Sequence, residues 1–191
     1  MPDFALTNPL PPSSARSARD AYWTPPSRTH ALLDAVPEIR GRVWEPCAGA
    51  GWMANVLQTR CDVRASDICP QAPGIEAHDF LHEEPPARDV DWVVTNPPFE
   101  LAIEVLRRAL SVTPRVALLC RLSFVEYTQD RGPFLVDNVW DRIIYLPRTR
   151  FVRGDGRPSG SGDSVIPAWF VWGVTPQKPV WGCVGEVTRR R

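Results

Sequence analysis

Apolar residues follow two different spacings along the chain, and the two spacings alternate. Short, mostly apolar runs predict strands at residues 42–46, 63–66, 91–95, 115–120, 143–146 and 168–174. Apolar residues three or four positions apart predict helices at residues 25–36, 52–59 and 101–110. Strands that alternate with helices are typical of a mostly parallel sheet with helices on both faces. The pattern therefore predicts an α/β fold.

Proline, serine and glycine mark the ends of the predicted elements. Thr24 is expected to cap the first helix, with Pro25 in its first turn. Residues 1–19 are rich in Pro, Ser and Ala and predict a mobile tail. The remaining residues, 20–191, are expected to form a single domain. An arginine- and glycine-rich loop at about residues 147–166 interrupts it, and a loop of this length is either functional or disordered.

The composition is that of a globular chain. Of its 191 residues 43% are hydrophobic, which is enough for one real core. Charges or prolines interrupt every apolar stretch, so no membrane span is expected. The N-terminus lacks the apolar stretch of a secretion signal, and a cytoplasmic location is expected. The sequence leaves the oligomeric state open.

Cysteine and histidine positions give no pattern typical of a metal site. The five cysteines are odd in number, and no pair has C-x-x-C spacing, so neither a disulfide framework nor zinc is predicted. His78 and His82 stand four positions apart without a further obvious ligand. We therefore expect no metal.

Arginine carries almost all of the positive charge. The formal net charge is zero, which gives no global attraction to nucleic acid. Lys178 is the one lysine among 22 basic residues. The planar arginine side chain binds two phosphate oxygens at once, although coding bias would give the same composition. The arginines interpreted as nucleic-acid contacts are Arg121, Arg148, Arg150, Arg153 and Arg157.

The loop after the first long strand contains two glycines that allow a tight turn. Gly49 and Gly51 form G-x-G, without the third glycine of a dinucleotide fingerprint or the lysine of a phosphate loop. Glu45 precedes Gly49 by four positions. A carboxylate there disfavours a pyrophosphate and favours a cationic sulfonium ligand with an amino group. The alternative is a plain strand–turn–helix.

Two acidic residues follow at the ends of later segments. Asp67 ends the next strand, 18 positions after Gly49, where an acid in nucleotide folds binds ribose hydroxyls. Asp79 and Phe80 lie in the following loop and are interpreted as an acceptor for an adenine amino group with a nearby ring. The alternatives are a helix cap or loop acid for Asp67, and an ordinary loop acid and a core phenylalanine for the pair.

The segment Asn96-Pro97-Pro98-Phe99 is the most informative in the sequence. The two prolines end the strand and stiffen the turn, which fixes the Asn96 side-chain carbonyl and the Pro97 carbonyl as two acceptors. An exocyclic amine that donates both hydrogens to such acceptors keeps its lone pair on nitrogen for attack on a methyl group. Phe99 offers a face for stacking. The alternative is a strand-terminating turn with a core phenylalanine.

Together these segments resemble the class I S-adenosylmethionine-dependent methyltransferases, within them the small bacterial and phage-type N6-adenine DNA methyltransferases. The resemblance covers about residues 20–175. Its order and spacing are specific for the superfamily and less specific for DNA over RNA or protein. The matching segments are Tyr22-Trp23-Thr24-Pro25, residues 45–51, Asp67, Asp79-Phe80, Asn96-Pro97-Pro98-Phe99 and residues 119–122.

The resemblance implies a Rossmann-like fold, S-adenosylmethionine as cofactor and N6 of adenine in DNA as acceptor. The base would have to be flipped out or single-stranded. Asn96 and Pro97 would position the amine, and Phe99 would stack on the base. The residues implied to hold the cofactor are Tyr22, Thr24, Glu45, Pro46, Cys47, Ala48, Gly49, Gly51, Asp67, Ile68, Asp79, Phe80 and Asn96.

Two features depart from the family's pattern, and two other functions stay open. Cys47 stands where the family often has an aromatic residue, and no large target-recognition domain fits into the chain. Sequence specificity would then be loose, or carried by residues 121–140 and 147–165. The same tetrad serves RNA amino-group and protein glutamine methylation, because glutamine also has a planar NH2. A non-catalytic nucleic-acid-binding module is the alternative from another class.

Overall fold

The computed structural model describes residues 22–85, 89–149, 151–153, 166–178 and 180–181. Two short 3₁₀ turns, Phe99–Leu101 and Leu122–Val125, follow the fifth and sixth strands. The helices are α1 (Pro26–Ala35), α2 (Trp52–Leu57), α3 (Ala102–Val112) and α4 (Gly132–Asp137). The strands are β1 (Tyr22–Trp23), β2 (Arg42–Glu45), β3 (Asp62–Asp67), β4 (Glu76–Ala77), β5 (Trp92–Thr95), β6 (Val116–Arg121), β7 (Arg142–Tyr145), β8 (Val152–Arg153), β9 (Pro167–Trp172) and β10 (Val180–Trp181).

Eight strands of the described chain form one sheet, in the order β10–β7–β9–β6–β5–β2–β3–β4. β9 runs antiparallel to its neighbours β6 and β7, whereas the other neighbouring strands of this sheet are parallel. β1 and β8 pair with each other in a separate two-stranded sheet. The mostly parallel sheet predicted from the alternating pattern is confirmed.

Buried side chains cover both faces of the sheet, because neighbouring residues of a strand point in opposite directions. On β2, Val43 packs in an apolar cluster with α1 and α2, and Trp44 packs in a second cluster with α3. On β5, Val94 and Val93 divide between the two clusters in the same way. Helices therefore lie on both faces of the sheet, as the sequence predicts.

Side-chain hydrogen bonds fix α1 against the sheet. Trp169 of β9 is fully buried, and its indole N–H donates to the Arg28 carbonyl at 2.9 Å. Arg142 of β7 is also buried, and its guanidinium donates to the Ala35 carbonyl at 2.8 Å. Both ends of α1 are thus held, and with them the position of Thr24 just before the helix.

The predicted cap of α1 is wrong. Pro25 occupies the N-cap position, and no side chain caps the helix. Thr24 is buried, and its hydroxyl accepts a hydrogen bond from the side chain of Asn96 instead. The local sequence favours a cap, but a tertiary contact 72 positions away takes the hydroxyl.

Several short elements are absent from the sequence prediction. β1, β4, β8 and β10 have two residues each, and α4 has six. Strands of two residues are too short to show a periodic pattern, and each forms here by pairing with a strand from elsewhere in the chain. The predicted tail, residues 1–19, and residues 154–165 of the arginine- and glycine-rich loop lie outside the described residues.

Among the described residues, every helix is too short or too polar to cross a bilayer. The 11 residues of α3 extend over about 16 Å, against a hydrocarbon core of about 30 Å.

Candidate active site

The predicted site residues gather at one edge of the sheet. β2, β3, β5 and β6 are parallel, so their carboxyl ends lie at the same edge. The connection leaving β2 leads to β3 on one side, and β5 lies on the other side. Ligands of open α/β sheets bind at such a switch point. Glu45, Asp67, Asn96 and Arg121 end their strands, or directly follow them, at this edge.

The loop between β2 and α2 takes its shape from two glycines and one carboxylate. Gly49 and Gly51 have positive φ angles of 53° and 78°, which other residues rarely adopt. Asp67 accepts a hydrogen bond from the Gly49 N–H at 2.9 Å and one from the Cys69 N–H at 2.8 Å. The carboxylate of Asp67 therefore ties the ends of β2 and β3 together. Its predicted contact with a ribose stays a prediction.

Glu45 is buried at the base of this loop, with 2% of its surface exposed. Burial, and then the negative charge of Asp67, raise its pKa to about 8, against a smaller opposing effect of a backbone hydrogen bond from Ala54. Its Oε2 atom has no hydrogen-bond partner among the described residues. Burial of this kind favours the protonated carboxyl, and a nearby cation would favour its ionised form.

The remaining residues implied for the cofactor loop line the same turn. Pro46 and Ala48 are buried, and Cys47 and Ile68 are half-buried. The Ala48 N–H donates to the Ser66 carbonyl at 2.9 Å, which continues the β2–β3 pairing into the loop. The loop is thus anchored to β3 along most of its length.

Trp23 covers the glycine turn, a role that the sequence analysis did not give it. Its indole N–H donates to the Gln71 side chain at 2.6 Å, and its ring lies 5.3 Å from the ring of Trp52. A Cβ atom on Gly49 would lie 3.3 Å from the Trp23 ring, closer than ordinary contact, so this approach favours glycine. The adjacent Tyr22 pairs with Arg153 through the backbone of β1 and β8. The sequence signal for this role of Trp23 was its position as an aromatic residue inside the Tyr22-Trp23-Thr24-Pro25 segment.

The Asn96-Pro97-Pro98-Phe99 segment leaves β5 directly beside the glycine turn. Asn96 and Pro98 are half-buried and Pro97 is buried. The Nδ2 group of Asn96 donates to the Thr24 hydroxyl at 3.0 Å. This bond fixes the orientation of the Asn96 amide. Because Nδ2 faces Thr24, the oxygen Oδ1 lies on the other side of the amide group. The structure therefore brings the Tyr22-Trp23-Thr24-Pro25 segment into contact with the tetrad. The sequence indicated only the order of these two segments along the chain.

Phe99 carries a guanidinium on its ring. The Cζ atom of Arg121 lies 4.4 Å from the ring centroid. The buried ring of Phe151 lies 6.2 Å from the same centroid at an interplanar angle of 73°. Phe99 itself is half-buried. Arg121, predicted as a nucleic-acid contact, thus lies on the ring predicted to stack on the base.

Asp79 and Phe80 have partners within the fold. Asp79 accepts hydrogen bonds from the Leu81 N–H and from His82, each at 3.0 Å. Burial raises the pKa of Asp79, but these two bonds and the charge of His82 outweigh it, and the net pKa lies below its usual value. Phe80 is 4% exposed and packs edge-on against Trp44 at 4.9 Å. The adenine-binding role of this pair stays a prediction.

The predicted arginine contacts are only partly described. Arg148 is exposed and follows β7, which ends at the same edge as β6 because β9 runs antiparallel to both. Arg153 belongs to β8, where its backbone pairs with Tyr22. Arg150 and Arg157 lie outside the described residues. The phosphate contacts proposed for these arginines stay predictions.

Within the described ranges, no group of three or more His, Cys, Asp or Glu side chains is placed to hold a metal ion. Cys47, Cys61, Cys69 and Cys120, the cysteines in the described part of the chain, form no disulfide.

No protein-family model and no curated protein sequence matches the chain. Solved structures do. A candidate RNA methyltransferase from Pyrococcus horikoshii is 12% identical, with a TM-score of 0.60 over 85% of this chain and 91% of that one. A dimethyladenosine transferase from Plasmodium falciparum is 13% identical, with a TM-score of 0.55 over 80% and 63%. A chain of a type I restriction–modification system is 14% identical, with a TM-score of 0.52 over 87% and 44%.

These likenesses show the fold. The chain has the Rossmann-like fold that methyltransferases of this kind share, as the resemblance predicted. At identities of 12–14% they do not transfer a substrate or a site residue.

Proposed function

We propose that this chain is an S-adenosylmethionine-dependent methyltransferase whose acceptor is N6 of adenine in DNA. The observation that carries the proposal is the hydrogen bond from Asn96 to Thr24. It brings the tetrad and the N-terminal segment together beside the glycine turn, and it orients the amide of Asn96. A plain strand-ending turn would not need a buried partner for this side chain.

The loop at Glu45 fits the proposed cofactor better than a dinucleotide. Glu45 is buried and close enough to Asp67 for its pKa to rise. A second anion such as a pyrophosphate would add to this repulsion, whereas a ligand with a sulfonium and an ammonium group would offset it. When bound, S-adenosylmethionine supplies an electrophilic methyl group. Glu45 would face its positive charge, while Gly49 and Gly51 let the backbone approach it closely.

The tetrad supplies the acceptor side. The side-chain carbonyl of Asn96 and the backbone carbonyl of Pro97 would each accept one N–H of the exocyclic amine. With both hydrogens held, the nitrogen lone pair points towards the methyl group. Phe99 would hold the ring of the base by stacking, which is worth about 1–3 kcal/mol per base. No charged base would be needed before transfer, because the nitrogen becomes acidic only as the new N–C bond forms. The methyl–sulfur bond would break in the same step and leave a neutral thioether, and the proton would pass to water.

RNA is the rival acceptor. The comparison proteins include a 23S rRNA methyltransferase, 19% identical with a TM-score of 0.50 over 78% of this chain and 69% of that one, as well as a restriction–modification chain. An adenine amine is chemically the same in both nucleic acids. The preference for DNA rests on the resemblance of the segments around the tetrad.

The test is transfer of labelled methyl from S-adenosylmethionine to DNA without adenine methylation, to total RNA and to glutamine-containing peptides. Digestion to nucleosides and mass spectrometry would identify the product. We expect N6-methyl-2′-deoxyadenosine from DNA, and roughly a hundredfold less or lower with an Asn96→Ala control. Product from RNA or peptide alone would replace the DNA assignment. A folded chain without product on any acceptor would contradict the enzyme assignment.

A further inference from the structure

The guanidinium of Arg121 is placed on Phe99 without other partners among the described residues. It lies 4.4 Å above the Phe99 ring, and it makes no hydrogen bond or ion pair with another described side chain or carbonyl. The side chain of Arg121 is exposed. A cation that stacks on a ring, with no carboxylate to neutralise it, is free to move at small cost.

The Phe99 ring, in contrast, is fixed. It packs against the core cluster that contains the buried Phe151. Its backbone lies in the 3₁₀ turn that follows two prolines, which limits the movement of the ring further. One wall of the proposed acceptor pocket is therefore rigid, and the group on top of it is mobile.

We propose that Arg121 is the second wall of the acceptor pocket. The guanidinium lies on Phe99 in the free protein and lifts to let the acceptor base enter between the two planes. Two stacking distances of about 3.5 Å require about 7 Å between ring and guanidinium, so the group moves by roughly 3 Å. An exposed arginine at the end of a strand reaches this by changing rotamers. This inference rests on the proposed function.

The arrangement defines the class of acceptor. A flat nucleobase fills the space between two planes and presents a π face to the cation. A glutamine amide is planar over a few atoms only and would leave most of both planes uncovered. The pair therefore favours a nucleobase over a protein side chain. Arginine is suited to this position because its guanidinium is planar, and lysine is not.

The test isolates the contribution of the base from that of the phosphates. It uses a single-stranded oligonucleotide that the wild-type protein methylates, and the same oligonucleotide with an abasic site in place of the methylated adenine. A single strand excludes the cost of unpairing the base. The dissociation constant for the abasic strand, divided by that for the intact strand, measures base capture. The variants are Arg121→Ala, Arg121→Lys and Arg107→Ala.

We expect the Arg121→Ala variant to lower this ratio by about 3- to 30-fold, with little change in affinity for the abasic strand. Arg121→Lys is expected to lose most of the ratio as well, because it keeps the charge and loses the plane. Arg107 is the matched control, since its guanidinium lies 4.3 Å above the ring of Phe134, in α4. Arg107→Ala should leave the ratio unchanged.

Three results would overturn the inference. An equal loss of affinity for both strands would make Arg121 a phosphate contact. A ratio fully kept by lysine would show that charge is sufficient. A ratio that rises in Arg121→Ala would show that the guanidinium only competes with the base. If the wild-type protein methylates no nucleic acid, the proposed function has failed instead, and no oligonucleotide for this test exists.

Discussion

The two halves of the sheet edge differ in how their polar groups are held. On the β2–β3 half, Asp67 binds two backbone N–H groups and Glu45 is buried beneath the turn. On the β5–β6 half, the side chain of Asn96 donates to the Thr24 hydroxyl, and Arg121 stacks on Phe99. The first half is acidic and preorganised by backbone contacts. The second has no acidic residue among its predicted site residues, and it depends on contacts between side chains, of which Arg121 is exposed.

This difference suits two ligands with opposite requirements. A cofactor that every turnover needs benefits from a site that is already formed, because no ordering cost is then paid on binding. An acceptor base in a polyanionic strand must enter and leave, and a mobile cation over a fixed ring permits that. Substitutions in the first half should therefore change binding of the proposed cofactor, and substitutions in the second should change turnover or acceptor capture.

The largest expected effect is on turnover. Asn96→Ala should lower kcat by roughly a hundredfold or more, because a positioned acceptor for the amine is lost. Affinity for S-adenosylmethionine should stay close to that of the wild type. Methyl-transfer kinetics and calorimetry on the same protein check both. A variant with near-normal kcat would contradict the role of the tetrad.

Asp67→Ala should weaken S-adenosylmethionine binding by about 1–3 kcal/mol, the usual scale for a lost hydrogen bond to a charged group. The variant also frees the N–H groups of Gly49 and Cys69, so the loop loses its tie to β3. Asp67→Asn is the matched control, since it keeps one acceptor for the loop. Calorimetry that finds unchanged affinity in a folded Asp67→Ala protein would remove this residue from the site.

Glu45 makes stability depend on pH. Its pKa is raised to about 8 in the folded state, so the folded protein holds a proton that the unfolded chain has released above about pH 4.5. The free energy of unfolding should therefore fall as pH rises through this window, by about 2 kcal/mol from about pH 6 to about pH 7.5. Denaturant unfolding at several pH values measures it.

Glu45→Gln is the control for this pH dependence, because it cannot ionise. Its stability should change less over the same pH range than that of the wild-type chain. Equal slopes in the two proteins would mean that the Glu45 carboxyl is not the titrating group.

The smallest expected effect is at Thr24. Thr24→Val removes the hydroxyl that holds Asn96, which is worth about 1 kcal/mol, so kcat should fall by about 5- to 10-fold. KM for S-adenosylmethionine should change less, and Thr24→Ser should restore kcat. A rise in that KM with unchanged kcat would make Thr24 a cofactor contact, as the resemblance implies, rather than a positioning residue.

Sequence patterns predicted the long helices and strands. They failed where a contact with a distant residue decides the role of a side chain. The apolar run of β6 and the helical stripe of α3 lie within one or two residues of their predicted bounds. The cap at Thr24 failed because local propensity is weaker than a buried hydrogen bond from a distant residue. Phe80 fits the aromatic pattern of a cofactor site as well as that of a core, and only its packing on Trp44 shows the core contact.

The sequence by itself determined the longer strands of the sheet, its mostly parallel character and the order of the chemical groups along the chain, because these follow from periodicity and from residues at strand ends. The tertiary structure decided which of those groups touch. Thr24 meets Asn96 and Arg121 meets Phe99 across chain separations of 72 and 22 positions, and Trp23 lies on Gly49. Contacts of this kind depend on strand order and side-chain direction, which no local pattern encodes.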